Sequence, residues 1–187
     1  MQLDAYLARP VLGTDTEPPV ESNWLVLCPL RLVSGKLWVL DPTLFEGEVI
    51  PLPPGEYQVL AKVMDWSDDR RVSRLRVVGP VQVDGAVLGT QVGEVGVDFA
   101  QVGVGDWERC TSGAEALDEA SQNRVVAALD TMELYGVAYW DEHGEVPMPF
   151  VQSGFGDGTF PIYEIVRDSV RVGVEVVFIS TDEGPSL

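Results

Sequence analysis

The sequence predicts a mainly β fold, an antiparallel β-sandwich or a pair of strongly bent sheets, in a single domain over residues 1–187. Glycine (19 residues) and proline (13 residues) divide the chain into short segments with the spacing of all-β proteins. Several segments alternate apolar and polar residues with a period of two. At 187 residues, 45% of them hydrophobic, the chain is long enough to bury one substantial core.

The N-terminal half predicts two hairpins. In the first, WLVLCPLRLV (24–33) and KLWVL (36–40) flank Ser34 and Gly35, a pair that suits a two-residue turn. In the second, the alternating runs GEYQVLAKVM and VSRLRVV flank the polar turn DWSDDRR. Trp66 stands in that turn, where an exposed indole would contact a partner and a folded-back indole would cover the core.

The basic cluster RRVSRLR contains four of the twelve cations, Arg70, Arg71, Arg74 and Arg76. Arg74 and Arg76 share one face of the predicted strand, opposite its apolar side chains. They could bind an anion, but the chain is rich in carboxylates. We therefore expect salt bridges, internal or on the surface.

The C-terminal half combines short strands with helix. Valine- and glycine-rich sequence from GPVQVDG to QVGVGDW predicts successive short strands with bends. One helical segment is expected near 112–134, with Thr111 or Ser112 as its N-cap, or two helices if Ser121 caps a second. The run VRVGVEVVFI (170–179) then places alternate valines on one face of a final strand.

The stretch SGFGDG (153–158) separates two apolar runs near the C-terminus. Its glycines suit a tight backbone, and the Asp157 side chain suits a turn because it can accept hydrogen bonds from nearby main-chain N–H groups. We interpret it first as a structural turn between strands. The alternative is a loop that holds a ligand or a metal ion.

The chain is strongly acidic, with 12 basic and 30 acidic residues and a net charge of −18. Residues 1–93 carry 8 basic and 12 acidic groups, whereas residues 94–187 carry 4 and 18. Such a field repels phosphate backbones and anionic membrane surfaces, so we expect neither nucleic acid nor membrane as a partner. It favours a basic protein partner, divalent metal ions, or simply solubility, and we interpret it first as an acidic solvated surface.

Cysteine usage is sparse. Cys28 and Cys110 form no CxxC motif; Cys28 lies in an apolar run typical of a buried reduced thiol, although a long-range disulfide stays open. The N-terminus lacks the basic start and continuous apolar stretch of a signal peptide, and no run approaches the length of a membrane span. We expect a cytoplasmic protein. The sequence indicates no oligomeric state.

The sequence lacks the residues and motifs that most known catalytic sites require. The single histidine, His143, lies in a polar turn, so a histidine-rich zinc site is excluded, and no GxSxG elbow accompanies it. No GxGxxG in a strand-to-helix setting and no GxxxxGK[ST] occurs, so we expect no nucleotide cofactor, and no other cofactor is indicated. This set of residues and motifs favours a protein that is not an enzyme.

Three carboxylates remain as candidates for chemistry. Asp98, Asp106 and Asp157 each lie in or beside a glycine-rich bend, where loops of a sandwich can converge. Together they could bind a hard cation such as Ca²⁺, and Asp98 with Asp157 could act as acid and base in hydrolysis. No EF-hand spacing supports the metal site.

Three segments together resemble a bacterial family catalogued as domain of unknown function 4241. PPGEYQVLAKVMDWSDDRRVSRLRVV is similar to its PGxYxV…RVAxxRV hairpin, and VGVDFAQVGVGDW resembles its VDxGxxxFxD segment. SGFGDGTFPIYEIVRDSVRVGVEVVFI is similar to its C-terminal SGWGDGxYPVYxGxDxxGxxVxLVxDF motif. The resemblance covers roughly residues 50–180.

The resemblance implies a set of motif residues but no activity, because that of the family is itself unknown. The matching positions are Asp98, Ser153, Gly154, Gly156, Asp157, Gly158, Pro161 and Tyr163. Ala100 departs from the pattern, since the family usually has glycine there, and so does RDSVRVG before the last strand. By analogy of gene context, the resemblance makes a toxin-immunity role conceivable.

Three functions follow as hypotheses. The first is a non-enzymatic protein-binding module, immunity-like, with a cationic toxin as its partner. The second is a metal- or carboxylate-dependent hydrolase that uses Asp98 and Asp157. The third is a carbohydrate- or small-ligand-binding sandwich, in which Trp66, Trp107 or Trp140 would line one groove. The binding candidates taken together are Ser153, Gly156, Asp157, Gly158, Tyr163 and Trp66.

Overall fold

The computed structural model describes residues 19–66, 68–79, 85–111, 118–130 and 133–180. Within these ranges the chain forms twelve strands and two short helices. The strands are β1 (Val20–Glu21), β2 (Leu25–Leu32), β3 (Lys36–Asp41), β4 (Glu46–Pro51), β5 (Gly55–Asp65), β6 (Arg70–Val78), β7 (Val87–Val97), β8 (Gln101–Asp106), β9 (Tyr135–Tyr139), β10 (Pro147–Gln152), β11 (Gly158–Arg167) and β12 (Val170–Val177). The helices are α1 (Trp107–Thr111) and α2 (Glu119–Leu129).

The strands form two antiparallel sheets, which confirms the predicted mainly β, sandwich-like fold. The first sheet has the order β1-β5-β6-β12-β11-β7, and β2 also pairs with β5. The second sheet has the order β4-β3-β8-β10-β9. The main core lies between them and joins buried residues of both sheets, among them Val39, Val104 and Val151 on one side and Val59, Leu75 and Val176 on the other.

The two helices cover the outer face of the second sheet. A separate apolar cluster fills this interface, with Trp38, Leu40, Trp140, Met148 and Phe150 from the sheet side, and Cys110, Val125 and Leu129 from the helices. Neither helix among the described residues is long and apolar enough to cross a membrane.

The outer face of the first sheet carries a buried ion network. The Glu175 side chain is fully buried, and its two carboxylate oxygens accept hydrogen bonds from Arg74 Nη1 at 2.9 Å and Arg76 Nε at 2.8 Å. The salt bridges expected for the RRVSRLR cluster are confirmed. Its four arginines pair with the acidic residues Asp65, Asp69, Glu21 and Glu175.

The second predicted hairpin is confirmed, and the first is wrong. β5 and β6 pair directly, with Asp65 opposite Arg70 at the turn. β2, however, belongs to the first sheet and β3 to the second, so Ser34 and Gly35 connect two sheets. The Asp106 side chain holds this connection, because its Oδ2 accepts the N–H groups of Val33 and Ser34 at 2.6 and 2.9 Å.

The predicted helical segment near 112–134 is shorter than expected in the part that the structure describes. α2 begins at Glu119 because Asp118 is its N-cap and accepts the Ser121 N–H at 3.0 Å. Ser121 therefore lies inside the helix and does not cap it. Thr111 ends α1, a helix that the sequence patterns did not predict, and residues 112–117 lie outside the described ranges.

Both cysteines are free, so the disulfide left open by the sequence does not form. Burial raises the pKa of Cys28 to about 11. Burial, together with the nearby Asp106 carboxylate, raises the pKa of Cys110 to about 12. Both thiols therefore stay protonated near neutral pH, and they pack as small apolar groups.

Candidate functional site

Four connections between strands meet at one end of the sandwich, which we call the loop end. They are the β3–β4 turn (42–45), the β5–β6 turn around Trp66, the β7–β8 crossover (98–100) and the β10–β11 crossover (153–157). Both crossovers pass from one sheet to the other. The SGFGDG motif forms the last of them, so the stretch most typical of the family resemblance lies at this end.

Hydrogen bonds of the main chain and of the Asp41 side chain join the two crossovers and the β3–β4 turn. Ser153 N–H donates to the carbonyl oxygen of Ala100 at 2.9 Å. Asp98 N–H donates to Asp41 Oδ2 at 2.9 Å, and Asp41 Oδ1 accepts Thr43 N–H at 2.8 Å. The buried Asp41 carboxylate thereby ties the turn to the first crossover.

The second crossover is a tight turn built on a buried serine. Ser153 is fully buried, and its Oγ donates to the carbonyl oxygen of Gly156 at 2.7 Å. Gly154 has φ +58°, and a Cβ placed there would meet Phe178 Cβ at 3.1 Å and Ile179 Cγ1 at 3.2 Å. This position requires glycine for both its φ angle and its space. Ser153 and Gly154 are thus structural residues of the turn.

The β5–β6 turn packs on the side chain that this crossover presents. The rings of Trp66 and Phe155 lie 5.6 Å apart between centroids, and the Arg71 guanidinium lies 5.8 Å from the Phe155 centroid. Arg71 Nη1 donates to the Gly154 carbonyl oxygen at 3.5 Å, and Asp69 holds its Nε at 2.7 Å. Trp66 is half-buried, so it supports the loop and also reaches the surface.

Of the three candidate carboxylates, the structure brings two together. Val97 and Gly158 are ladder partners, and Asp98 follows the first while Asp157 precedes the second, so both aspartates leave the same end of the β7–β11 pair. Both are exposed. Asp106 ends β8 at its far side, five residue steps or about 17 Å from Gln101. The predicted convergence of all three is therefore wrong.

Asp106 instead has a structural role. It is buried, and besides the β2–β3 connection it accepts Arg109 N–H through Oδ1 at 2.9 Å, which caps α1. Burial alone would raise its pKa, but hydrogen bonds from the main chain of Ser34, Arg109 and Val33 outweigh burial and lower it. Among the described residues, no three His, Cys, Asp or Glu side chains form a group that could hold a metal ion.

Exposed apolar side chains are the feature of the loop end that the sequence reasoning missed. Phe99 and Phe155 are each 59% exposed, and Leu44 is 42% exposed. The other four phenylalanines are buried or half-buried. The signal was present, because FA and GFG place a large apolar residue inside a predicted bend, where no strand pattern accounts for it.

Exposed carboxylates occur in the same turns of the loop end. Asp68, Asp98 and Asp157 are exposed and belong to the turns that hold Trp66, Phe99 and Phe155. Nine of the described cations form ion pairs, and Arg109 and Arg124 donate to main-chain carbonyl oxygens. One of the nine, Arg71, lies at the loop end and is paired with Asp69. The turns of the loop end therefore expose both apolar and acidic side chains.

The remaining candidates lie apart from one another. Tyr163 is half-buried on β11, opposite Gln91 and Glu175. Gly156 and Gly158 belong to the loop end. Trp140 is 4% exposed and packs against Trp38 under the helices, so it cannot share a surface groove with Trp66.

A shallow depression of about 390 Å³ lies far from the loop end. It is lined by Cys28, Pro29, Arg31, Glu56, Arg109, Tyr139, Gly144, Glu145 and Pro147. Neither Asp98 nor Asp157 contributes to it. The two aspartates are thus exposed and do not line this depression.

Comparisons with known proteins return no match: no family profile, no curated protein and no solved structure matches the chain at a significant level. The resemblance to the domain of unknown function 4241 therefore stays a prediction, carried by the three sequence segments alone.

Proposed function

We propose that this protein is a non-enzymatic binding module that takes a basic partner protein at the loop end. The observation that supports this most is the exposure of Phe99 and Phe155 on two adjacent crossovers. Large aromatic side chains are costly to leave in water, and they supply most of the binding energy where they occur at interface centres.

The negative charge of the loop end favours a partner with a positively charged surface. Asp68, Asp98 and Asp157 are exposed in the turns of the loop end, and the described ion pairs include none of them. The guanidinium of Arg71, beside the Phe155 ring, is already paired with Asp69. A cationic partner would find complementary charge at the rim and apolar contact at the centre. The net charge of −18 would also raise its association rate, in a salt-dependent way.

The loops are held before any partner arrives. The Ser153–Ala100 and Asp98–Asp41 hydrogen bonds fix the crossovers, and the Trp66 ring supports Phe155. A surface that is already ordered loses less conformational entropy on binding. This arrangement fits an inhibitor-like protein, and we propose, by analogy of gene context with the resembled family, an immunity protein with a cationic toxin as its target.

The test compares what the wild type and two double variants capture from an extract of host cells at low salt. Phe99→Ala/Phe155→Ala removes the apolar centre without changing the charge. Val26→Ala/Tyr139→Ala removes exposed apolar groups away from the loop end and is the matched control. The proposal expects a basic protein that the wild type and the control retain and the loop-end variant loses. Equal capture by all three proteins, or no basic protein in any eluate, contradicts it.

The hydrolase hypothesis keeps one supporting observation, the adjacent positions of Asp98 and Asp157 at the end of the β7–β11 pair. It predicts hydrolysis of a glycosidic or ester substrate that Asp98→Asn or Asp157→Asn abolishes. Because both side chains are exposed, neither substitution should disturb the fold. Retained hydrolysis in both variants would rule out these residues as the acid and base.

A further inference from the structure

The described part of the two sheets ends in four edges, and three of them are protected against pairing. β2 carries Pro29, which cannot donate to a ladder, and β9 is only five residues long. β4 carries Glu46 and Glu48 and ends at Pro51. Charges, prolines and short length are the usual means by which proteins prevent a second chain from pairing with an edge.

The fourth edge, β7, largely lacks these three features, although two register shifts interrupt its ladder with β11. It is eleven residues long, VLGTQVGEVGV, with no proline and no lysine, and Glu94 is its single charge. Among the described strands it pairs with β11 alone. Its first five residues are all exposed, Val87 at 64% and Leu88 at 42%. Within the described ranges, no second strand pairs with the main chain of this edge.

Three carboxylates lie on or beside the second half of β7. Glu94 lies on β7 and Asp98 directly follows it, and both are exposed. Exposed Glu48 reaches across from β4, since its Cγ lies 2.9 Å from where a Cβ of Gly93 would stand. β7 thus continues from an open main-chain edge, past three acidic groups, to Phe99 at the loop end.

We propose that an extended basic segment of the partner adds as a strand along β7 and continues to Phe99. Main-chain hydrogen bonds would supply affinity, as in other cases of strand addition, and lysine or arginine side chains would pair with Glu48, Glu94 and Asp98. A second copy of this chain fits less well, because it carries the same charge of −18. The inference rests on the proposed function and adds the mode of binding.

The probe is a ten-residue peptide of alternating lysine and valine, added to the full chain while amide hydrogen exchange is followed residue by residue. A fully N-methylated version is the control, with the same charges and no main-chain N–H donors. The expected result is about tenfold slower exchange in Val87–Val97 with the first peptide and none with the second. Equal binding of both peptides, or unchanged exchange in β7, overturns the inference.

Two charge-reversal variants distinguish the effect of carboxylates near β7 on peptide binding from the effect of the overall net charge. Glu48→Lys/Glu94→Lys should weaken peptide binding about tenfold. Glu119→Lys/Glu133→Lys changes the net charge equally at exposed positions outside β7 and should leave binding nearly unchanged. Equal losses in both variants contradict strand addition here. If Phe99→Ala/Phe155→Ala still loses the partner while β7 stays unprotected, the proposed function stands and this inference fails.

Discussion

Ser153 N–H donates a hydrogen bond to the carbonyl oxygen of Ala100 at 2.9 Å, and this bond joins the two crossovers of the sandwich. It places Phe99, one residue before Ala100, beside the turn that presents Phe155. The acidic and aromatic groups of the loop end therefore depend on backbone geometry at a few positions. The first four of the following predictions test the framework of the fold, and the last tests the surface itself.

Ala100→Gly should stabilise the protein. Ala100 has φ +53°, a left-handed conformation in which a Cβ is strained, and the resembled family has glycine at this position. After allowance for the greater freedom of glycine in the unfolded chain, we expect a gain of about 0.5–1 kcal/mol in the free energy of unfolding. Urea denaturation measures it. A loss of stability would contradict the left-handed assignment.

Gly154→Ala should destabilise the protein by about 1–3 kcal/mol, because it combines strain at φ +58° with contact against Phe178 and Ile179. Gly96→Ala is the control: no atom lies within 4 Å of its added Cβ, and its φ is not positive. We expect the control to change stability by less than about 0.5 kcal/mol. Thermal denaturation of both variants compares them. Equal effects would show that the crossover is not tightly packed.

The strand patterns could be predicted from the sequence because alternation reports which residues face the core. Leu75 and Val77 against Arg74 and Arg76 is such a case, and β6 bears it out. The sequence was a poorer guide to which strands pair with each other. Ser34 and Gly35 have the composition of a hairpin turn, yet Asp106, more than seventy positions away, directs the chain to the other sheet.

The site was predictable only in part. SGFGDG was recognised by its glycines, and Asp98 and Asp157 do leave the same end of the fold. Asp106 resembled them in sequence context but lies at the opposite end of β8, since sequence does not show which way a strand runs. The exposure of Phe99 and Phe155 depends on how two distant crossovers meet.

Asp106→Asn should cost about 2–3 kcal/mol at pH 7, because a buried carboxylate that accepts three main-chain N–H groups is replaced by an amide. The pKa of Asp106 in the folded protein is lowered, so its stabilisation is present above its unfolded pKa of about 3.9 and is lost as pH falls through the folded value. The difference between wild type and variant should therefore shrink below about pH 4.

Urea denaturation between pH 7 and pH 3 measures this difference. Asp130→Asn, at an exposed position after α2, is the control and should stay near wild type throughout. A constant difference between wild type and Asp106→Asn over the whole range would contradict the role given to the ionised carboxylate.

Glu175→Gln should destabilise the protein by about 3–5 kcal/mol, since it removes the buried charge that Arg74 and Arg76 both contact. Glu56→Gln tests an exposed pair, with Arg31, and should cost only about 0–1 kcal/mol. Chemical denaturation of the two variants ranks them. Similar small losses would mean that the network on the first sheet contributes little.

The claim that the loop end binds a basic partner is tested most directly by calorimetric titration of the captured partner into four proteins at low and moderate salt. Phe99→Ala/Phe155→Ala should weaken binding by about a hundredfold at either salt concentration. Asp98→Asn/Asp157→Asn should reduce both affinity and its salt dependence. Val26→Ala/Tyr139→Ala, away from the loop end, should bind as the wild type does. A partner that binds all four proteins with one affinity would contradict the account.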